Sequence, residues 1–157
     1  MALKKRIIVK FLIEDGRLVK YKNFTKSKRL AGNPVSMART YEDQCVDEMY
    51  FCDLGVIDPA MIRNVTADVF TPVTVAGSIH SMGQVDELIQ DSGADKVVVK
   101  DPRLAEQVAQ KYGRQAVVWP IDYHTLCVED VPQCAGEVLL TDIDRDGMGK
   151  GFDLDVL

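Results

Sequence analysis

Residues 137–151 read EVLLTDIDRDGMGKG: an apolar run opens into Asp142, Asp144 and Asp146 at alternate positions, then glycines at 147, 149 and 151. Carboxylates so spaced do one of two kinds of chemistry. They surround a hard cation, as in the D-x-D-x-D-G calcium loop, which would put Asp153 at the twelfth position. Or they stand at the mouth of a buried strand, where they fix a turn, meet substrate or move protons. A calcium loop of that kind needs a helix before it, and EVLL reads as a strand. Its eighth position, usually apolar, is Gly149, and its twelfth is Asp rather than the bidentate Glu. The second reading is the stronger one.

The same organisation recurs along the chain. Apolar runs RIIVKFLI, EMYFCDLG, PVTVAGS, KVVVK and QAVVWPID precede EVLLTDID. They are rich in Val, Ile and aromatics without clean alternation, as expected of strands buried on both faces. Polar residues follow them in turn: Glu14 and Asp15, Asp53, Gly77 and Ser78, Lys100 and Asp101, Asp122, and Thr141 with the aspartates. A Gly-Ser turn can offer backbone N–H groups to a phosphate. A carboxylate at a strand end can serve as general acid or base once substrate excludes water. At the opposite ends Arg6, Glu48, Lys96 and Glu137 each come just before an apolar run, with alternating sign. In a barrel these four would converge on the bottom mouth as a ring of ion pairs, because buried charges persist only when paired.

The elements that must position these residues are legible from caps and punctuation. Asn33-Pro34, Asp58-Pro59 and Asp101-Pro102 each place a side-chain acceptor before a proline at the first helical position. Ser81 starts a fourth helix that ends at Gly93, and Gly113 stops the helix begun at Asp101. Strands alternating with helices give βαβ units and a parallel sheet, either doubly wound or barrel-like. HTLCVEDVPQCAG, between the fifth and sixth runs, is barely long enough for a helix and its loops. One domain, residues 1–157, is expected.

Bulk composition narrows the function classes. Hydrophobic residues at 46% and charged residues at 27% are globular values. The net charge of −5 argues against a general nucleic-acid binder, and no apolar run approaches the length of a membrane span. Four cysteines without CxxC spacing and only two histidines argue against a zinc site and suit reduced thiols in a cytoplasmic protein. Arg17, Lys20, Lys22, Lys26, Lys28 and Arg29 crowd together and read as a basic loop that could draw in an anionic substrate.

RIIVKFLIEDGRLVK, VDEMYFCDLG, TPVTVAGSIHS, GADKVVVK, QAVVWPID and GEVLLTDIDRDGMGKGFD, in that order, resemble the cyclase subunit of imidazole glycerol phosphate synthase. The resemblance implies a (β/α)8 barrel. It implies ammonia delivered by a glutaminase subunit to a phosphorylated ribulosyl substrate, with no cofactor and no metal. Of the family's acid–base pair of aspartates, Asp122 matches the second; the first falls on Leu12, which cannot transfer a proton, and the neighbouring cysteine falls on Lys10. Lys20 matches the lysine of the first loop, and Asp146 and Gly147 match the strand-six contacts, with Thr141 before them at the strand's end. Gly77 and Ser78 stand in the family's glycine-rich phosphate turn, and Lys100 replaces an asparagine beside it. Arg6, Glu48, Lys96 and Glu137 match the charged gate at the ammonia entrance. NFTKSKRLAGNPV also resembles the first loop of cyclase-like subunits of surface-glycan amidation. The alternative to catalysis is a half-barrel module that binds phosphate ligands or a glutaminase partner.

A full barrel of this type takes roughly 250 residues. The 157 residues here predict a partial α/β barrel, about five βα units plus a sixth strand. The expectation is that a second copy completes it, as a homodimer.

Overall fold

A computed structural model describes residues 4–22, 25–125, 131–151 and 154. Its strands are β1 (Ile8–Glu14), β2 (Arg17–Lys22), β3 (Thr25–Gly32), β4 (Glu48–Asp53), β5 (Val73–Ala76), β6 (Lys96–Val98), β7 (Val117–Asp122) and β8 (Glu137–Thr141). The helices are α1 (Pro34–Asp43), α2 (Pro59–Thr66), α3 (Met82–Asp86) and α4 (Pro102–Tyr112). All strands lie in one sheet of order β3-β2-β1-β4-β5-β6-β7-β8. From β1 to β8 the neighbours are parallel and follow chain order. A doubly wound sheet would reverse its order at a switch point; the absence of a reversal is the winding of a barrel. The sheet curls far enough for Arg6, before the first parallel strand, to touch Glu137 at the start of the last. The fold is thus a partial (β/α)8 barrel, as the sequence implied.

Parallel pairing keeps side chains of like parity on one face. Phe11 and Ile13, Met49 and Phe51, Val73 and Val75, and Val97 and Val99 face the helices and are nearly all fully buried. Phe11 stacks on Phe51 with ring centroids 4.6 Å apart. The helix faces that meet them carry Met61, Ile62 and Val65 from α2 and Leu104, Ala105 and Val108 from α4. Opposite parity puts Lys10 and Leu12, Glu48, Tyr50 and Cys52, Thr74, Lys96, Asp122, and Glu137 and Thr141 on the concave wall.

The caps act as the sequence indicated. Asn33 accepts from the Val35 and Ser36 N–H groups, Asp58 from Ala60, Ser81 from Gln84, and Asp101 from Arg103 and Leu104. Each satisfies donors that a helix start leaves open. Beyond α3 the chain continues as a π-helical turn, Glu87–Asp91, before Gly93 takes a positive φ of 76°.

Two expectations are corrected. The basic segment is not a loop: β2 and β3 form an antiparallel hairpin whose first strand pairs with β1 through Ile13↔Leu18 and Glu14↔Arg17. Asp15 and Gly16, both at positive φ, make the two-residue turn that lets β2 run back along β1. The side chains of Lys22, Lys26, Lys28 and Arg29 lie outside the described residues, as do Cys127 and Asp153. Between β7 and β8 there is no α-helix among the described residues, only a single 3-10 turn at Tyr123–Thr125 and a turn closed by the Ala135 N–H on the Pro132 carbonyl. Val138, on the outer face of β8, is accordingly 49% exposed. No helix among the described residues is long and apolar enough to cross a membrane.

Candidate functional site

At the bottom of the sheet four side chains alternate in sign and close on one another. Glu48 Oε2 accepts from Arg6 Nη1 at 2.7 Å and from Lys96 Nζ at 2.9 Å. Glu137 Oε1 accepts from Arg6 Nη2 at 3.0 Å and from Lys96 Nζ at 2.9 Å. Each cation thus bridges both anions. Glu48 is 2% exposed, and its remaining oxygen takes the Thr74 hydroxyl at 2.6 Å. So buried a carboxylate survives only with this many donors. Burial pushes the Glu137 carboxyl up, but the Lys96 hydrogen bond and the charges of Lys96 and Arg6 outweigh it and hold it below its ordinary value. All four residues of the expected ring are brought together.

At the opposite end the three aspartates of the 142–147 turn have separate partners. Asp142 Oδ1 accepts the backbone N–H groups of Asp144 (3.1 Å) and Arg145 (3.2 Å), which holds the turn's own shape. Asp144 Oδ2 lies 2.8 Å from Nε2 of His124. Asp146 Oδ2 accepts from Lys10 Nζ at 2.9 Å. Gly147 follows at φ 75°, a conformation open to glycine at no steric cost. These carboxylates therefore tie the turn to β7 on one side and to β1 on the other. The element before them is a strand, not the helix a calcium loop requires.

Asp122 closes β7 on the concave wall, directly paired with Thr141 of β8, and its Oδ1 accepts the His124 N–H at 2.9 Å. Leu12 sits on the same wall of β1, paired with Cys52. Tyr50, paired with Lys10, is buried; burial, then Cys52 and Asp146, push its hydroxyl upward. A cleft of about 350 Å³ opens between β1, β2 and the 146–147 turn, lined by Lys10, Leu12, Lys20, Tyr21, Asp146 and Gly147 among others. Lys20 and Asp146, both expected from sequence, line the same cleft; Lys100 is exposed just beyond β6 and is not part of it.

Gly77 and Ser78 follow β5 at φ 143° and 42°. A Cβ on Gly77 would lie 2.9 Å from Asp53 Cβ and 3.1 Å from the Asp53 carbonyl, so only glycine fits. Ser78 holds a left-handed conformation rare for a side-chain-bearing residue. Asp53 itself is raised, by burial first and then by the neighbouring charges of Asp15, Asp58 and Glu14, against the lowering effect of the Gly55 N–H.

Sequence reading missed two members of this end of the molecule. His124 was passed over, although its place two residues beyond a strand-end acid was a signal. Lys10 was noted only as a replaced cysteine, yet it meets Asp146, 136 positions away.

A family model described as histidine biosynthesis protein matches residues 6–134. Imidazole glycerol phosphate synthase subunit HisF of Streptococcus mutans serotype c is 36% identical to the chain over 189 aligned positions, covering 99% of this chain and 74% of that protein. The aligned stretch exceeds the chain's own 157 residues, so the relative carries segments within the match that this chain lacks. With the family model over most of its length, and a relative of this identity over nearly all of it, the chain belongs to the histidine biosynthesis protein family, alongside the HisF subunit of imidazole glycerol phosphate synthase.

Proposed function

We propose that the chain is a cyclase-type lyase subunit that condenses ammonia with a phosphorylated ribulosyl substrate at the upper end of its strands. The observation that carries this reading is the closed ring of Arg6, Glu48, Lys96 and Glu137 at the opposite end. A lone structural ion pair would need one cation and one anion. Here two of each share partners around the axis of the barrel, where a small neutral molecule handed over by a glutaminase subunit would enter. In this reading Asp122 transfers protons, and Gly77 and Ser78, with Lys100 beside them, hold a phosphate. Lys20, Thr141, Asp146 and Gly147 line the rest of the substrate's path.

A second reading is a module that binds the phosphosugar or the glutaminase without chemistry. Leu12 favours it, since a hydrocarbon stands where the strand-one acid belongs. Titration with the phosphorylated ribulosyl substrate in the presence of ammonium separates the two. Binding with product release supports the lyase. Binding without product supports the module. Absence of binding contradicts the lyase and the phosphosugar-binding module, and leaves a module that binds the glutaminase.

A homodimer is proposed on separate grounds: among the described residues no strand pairs with the outer edge of β8, and an open edge is a template for a second chain.

A further inference from the structure

Two residues past Asp122, the imidazole of His124 reaches across the tops of β7 and β8. Its Nε2 is 2.8 Å from Oδ2 of Asp144 and 3.9 Å from Oδ1 of Asp142. Its backbone N–H is tied to the Asp122 carboxylate, and its ring lies 5.2 Å from that of Tyr123. The side chain is 52% exposed, so it is held by these contacts and still open to a ligand. With Nε2 lying against the Asp144 carboxylate, Nδ1 is the ring nitrogen not engaged there. This is an acid–base group with an orienting anion, at the end of the strand that carries Asp122. The charges around it among the described residues are Asp122, Asp142 and Asp144, with Arg145 Nε 3.6 Å from Asp142 Oδ2 drawing off part of that field.

We propose that His124, oriented by Asp144, is the second proton-transfer group of the site, in a chain whose strand-one position is Leu12. The inference rests on the lyase reading above. Joining ammonia to a ketone forms a C–N bond as the C=O π pair moves to oxygen. The nitrogen loses a proton and the oxygen gains one. His124 Nδ1 accepts the first, and the imidazolium, steadied by Asp144, delivers one to the oxygen. A second passage removes another proton from nitrogen and gives it to the hydroxyl, which leaves as water while C=N forms. One ammonia and one carbonyl become one imine and one water, with no oxidant or reductant. His124 would be the catalytic residue and Asp144 a positioning residue.

The test compares wild type, His124→Gln and Asp144→Asn as full chains. Each is given the phosphorylated ribulosyl substrate at fixed free ammonia, with and without added imidazole. His124→Gln is expected to lower kcat by about 10²–10⁴-fold with little change in KM. Added imidazole is expected to restore part of that loss, and the melting temperature to stay unmoved. Asp144→Asn is expected to lower kcat at unchanged KM, with the loss restored in Asp144→Glu. A His124→Gln variant with the wild-type kcat overturns this inference and leaves the lyase reading standing. A wild type inert with ammonia overturns the lyase reading, and this inference with it.

Discussion

Arg6 Nη2 stands 3.0 Å from Glu137 Oε1 across 131 positions of sequence, so the start of the first parallel strand is joined to the start of the last by charge rather than by backbone pairing. Between them β4, β5, β6 and β7 complete the arc. The curvature of the sheet and the ring of charges therefore depend on each other. A flat sheet would carry Arg6 and Glu137 to opposite edges.

Glu48 should be the costliest member of the ring to remove. It is buried, it serves both cations, and it takes the Thr74 hydroxyl. Glu48→Ala leaves Lys96 half-matched in a largely dry position and is expected to cost about 3–5 kcal/mol in urea unfolding. Arg6→Ala, at a side chain 41% exposed, should cost about 1 kcal/mol or less. Equal costs would contradict the burial argument.

The pH dependence follows from Glu137, whose carboxyl is held below its ordinary value of 4.5. A depressed folded-state value means the charged form is favoured by folding. Its contribution is therefore fully present above about pH 4.5 and is lost as pH falls through the lower folded value. Asp86, held down by the hydrogen bonds of Lys111 and Tyr112 against burial, acts in the same direction. Unfolding midpoints should fall below pH 4.5, and Glu137→Gln should flatten that fall. A variant with the wild-type acid limb would show that the ring does not set it.

Asp53 runs the other way. Its carboxyl is raised by burial and by the acids around it, so its ionisation opposes folding at neutral pH, and stability recovers as pH falls through its folded value. Asp53→Asn keeps an acceptor for the Gly55 N–H, 2.7 Å away in the wild type, and should raise the melting temperature at pH 7. Gly77→Ala should lower the melting temperature, at a cost of about 1–3 kcal/mol in stability, because φ 143° and the Asp53 backbone leave no place for a methyl. The pair of variants, measured by thermal unfolding, tests the turn from both sides.

Leu12→Asp restores a carboxylate on the concave wall of β1, beside Cys52. If a missing strand-one acid limits the reaction, kcat should rise by about 10²-fold or more under saturating ammonium. An unchanged kcat would show that chemistry at this strand is not limiting.

Much of this arrangement was legible in the residues. Runs rich in Val and Ile gave the parallel strands, because strands covered on both faces need no alternation. Asn33, Asp58, Ser81 and Asp101 marked helix starts through acceptors that the structure places on the expected N–H groups. The alternating signs of Arg6, Glu48, Lys96 and Glu137 foretold the ring, since each precedes a strand whose position in the arc is its position in the chain. The β2–β3 hairpin was hidden, because Lys and Arg dominate it and register shifts between Leu18 and Val19 break its period. Lys10 was not picked out because its partner is fixed by the curl of the sheet, which brings Asp146 to it from 136 positions away. Spacing along the chain carries no trace of that contact; for His124 the one signal was its place two residues beyond Asp122, while its meeting with Asp144 depends on the pairing of β7 with β8.

The most direct test of the central claim is ammonia-dependent turnover of the phosphorylated ribulosyl substrate by the full chain, alongside Asp122→Asn. This substitution keeps the acceptor for the His124 N–H but cannot exchange a proton at that position. The account predicts product from the wild type and a loss of about 10²–10⁴-fold in kcat for the variant, at unchanged melting temperature. Equal turnover by the two proteins, or none by the wild type, would contradict it.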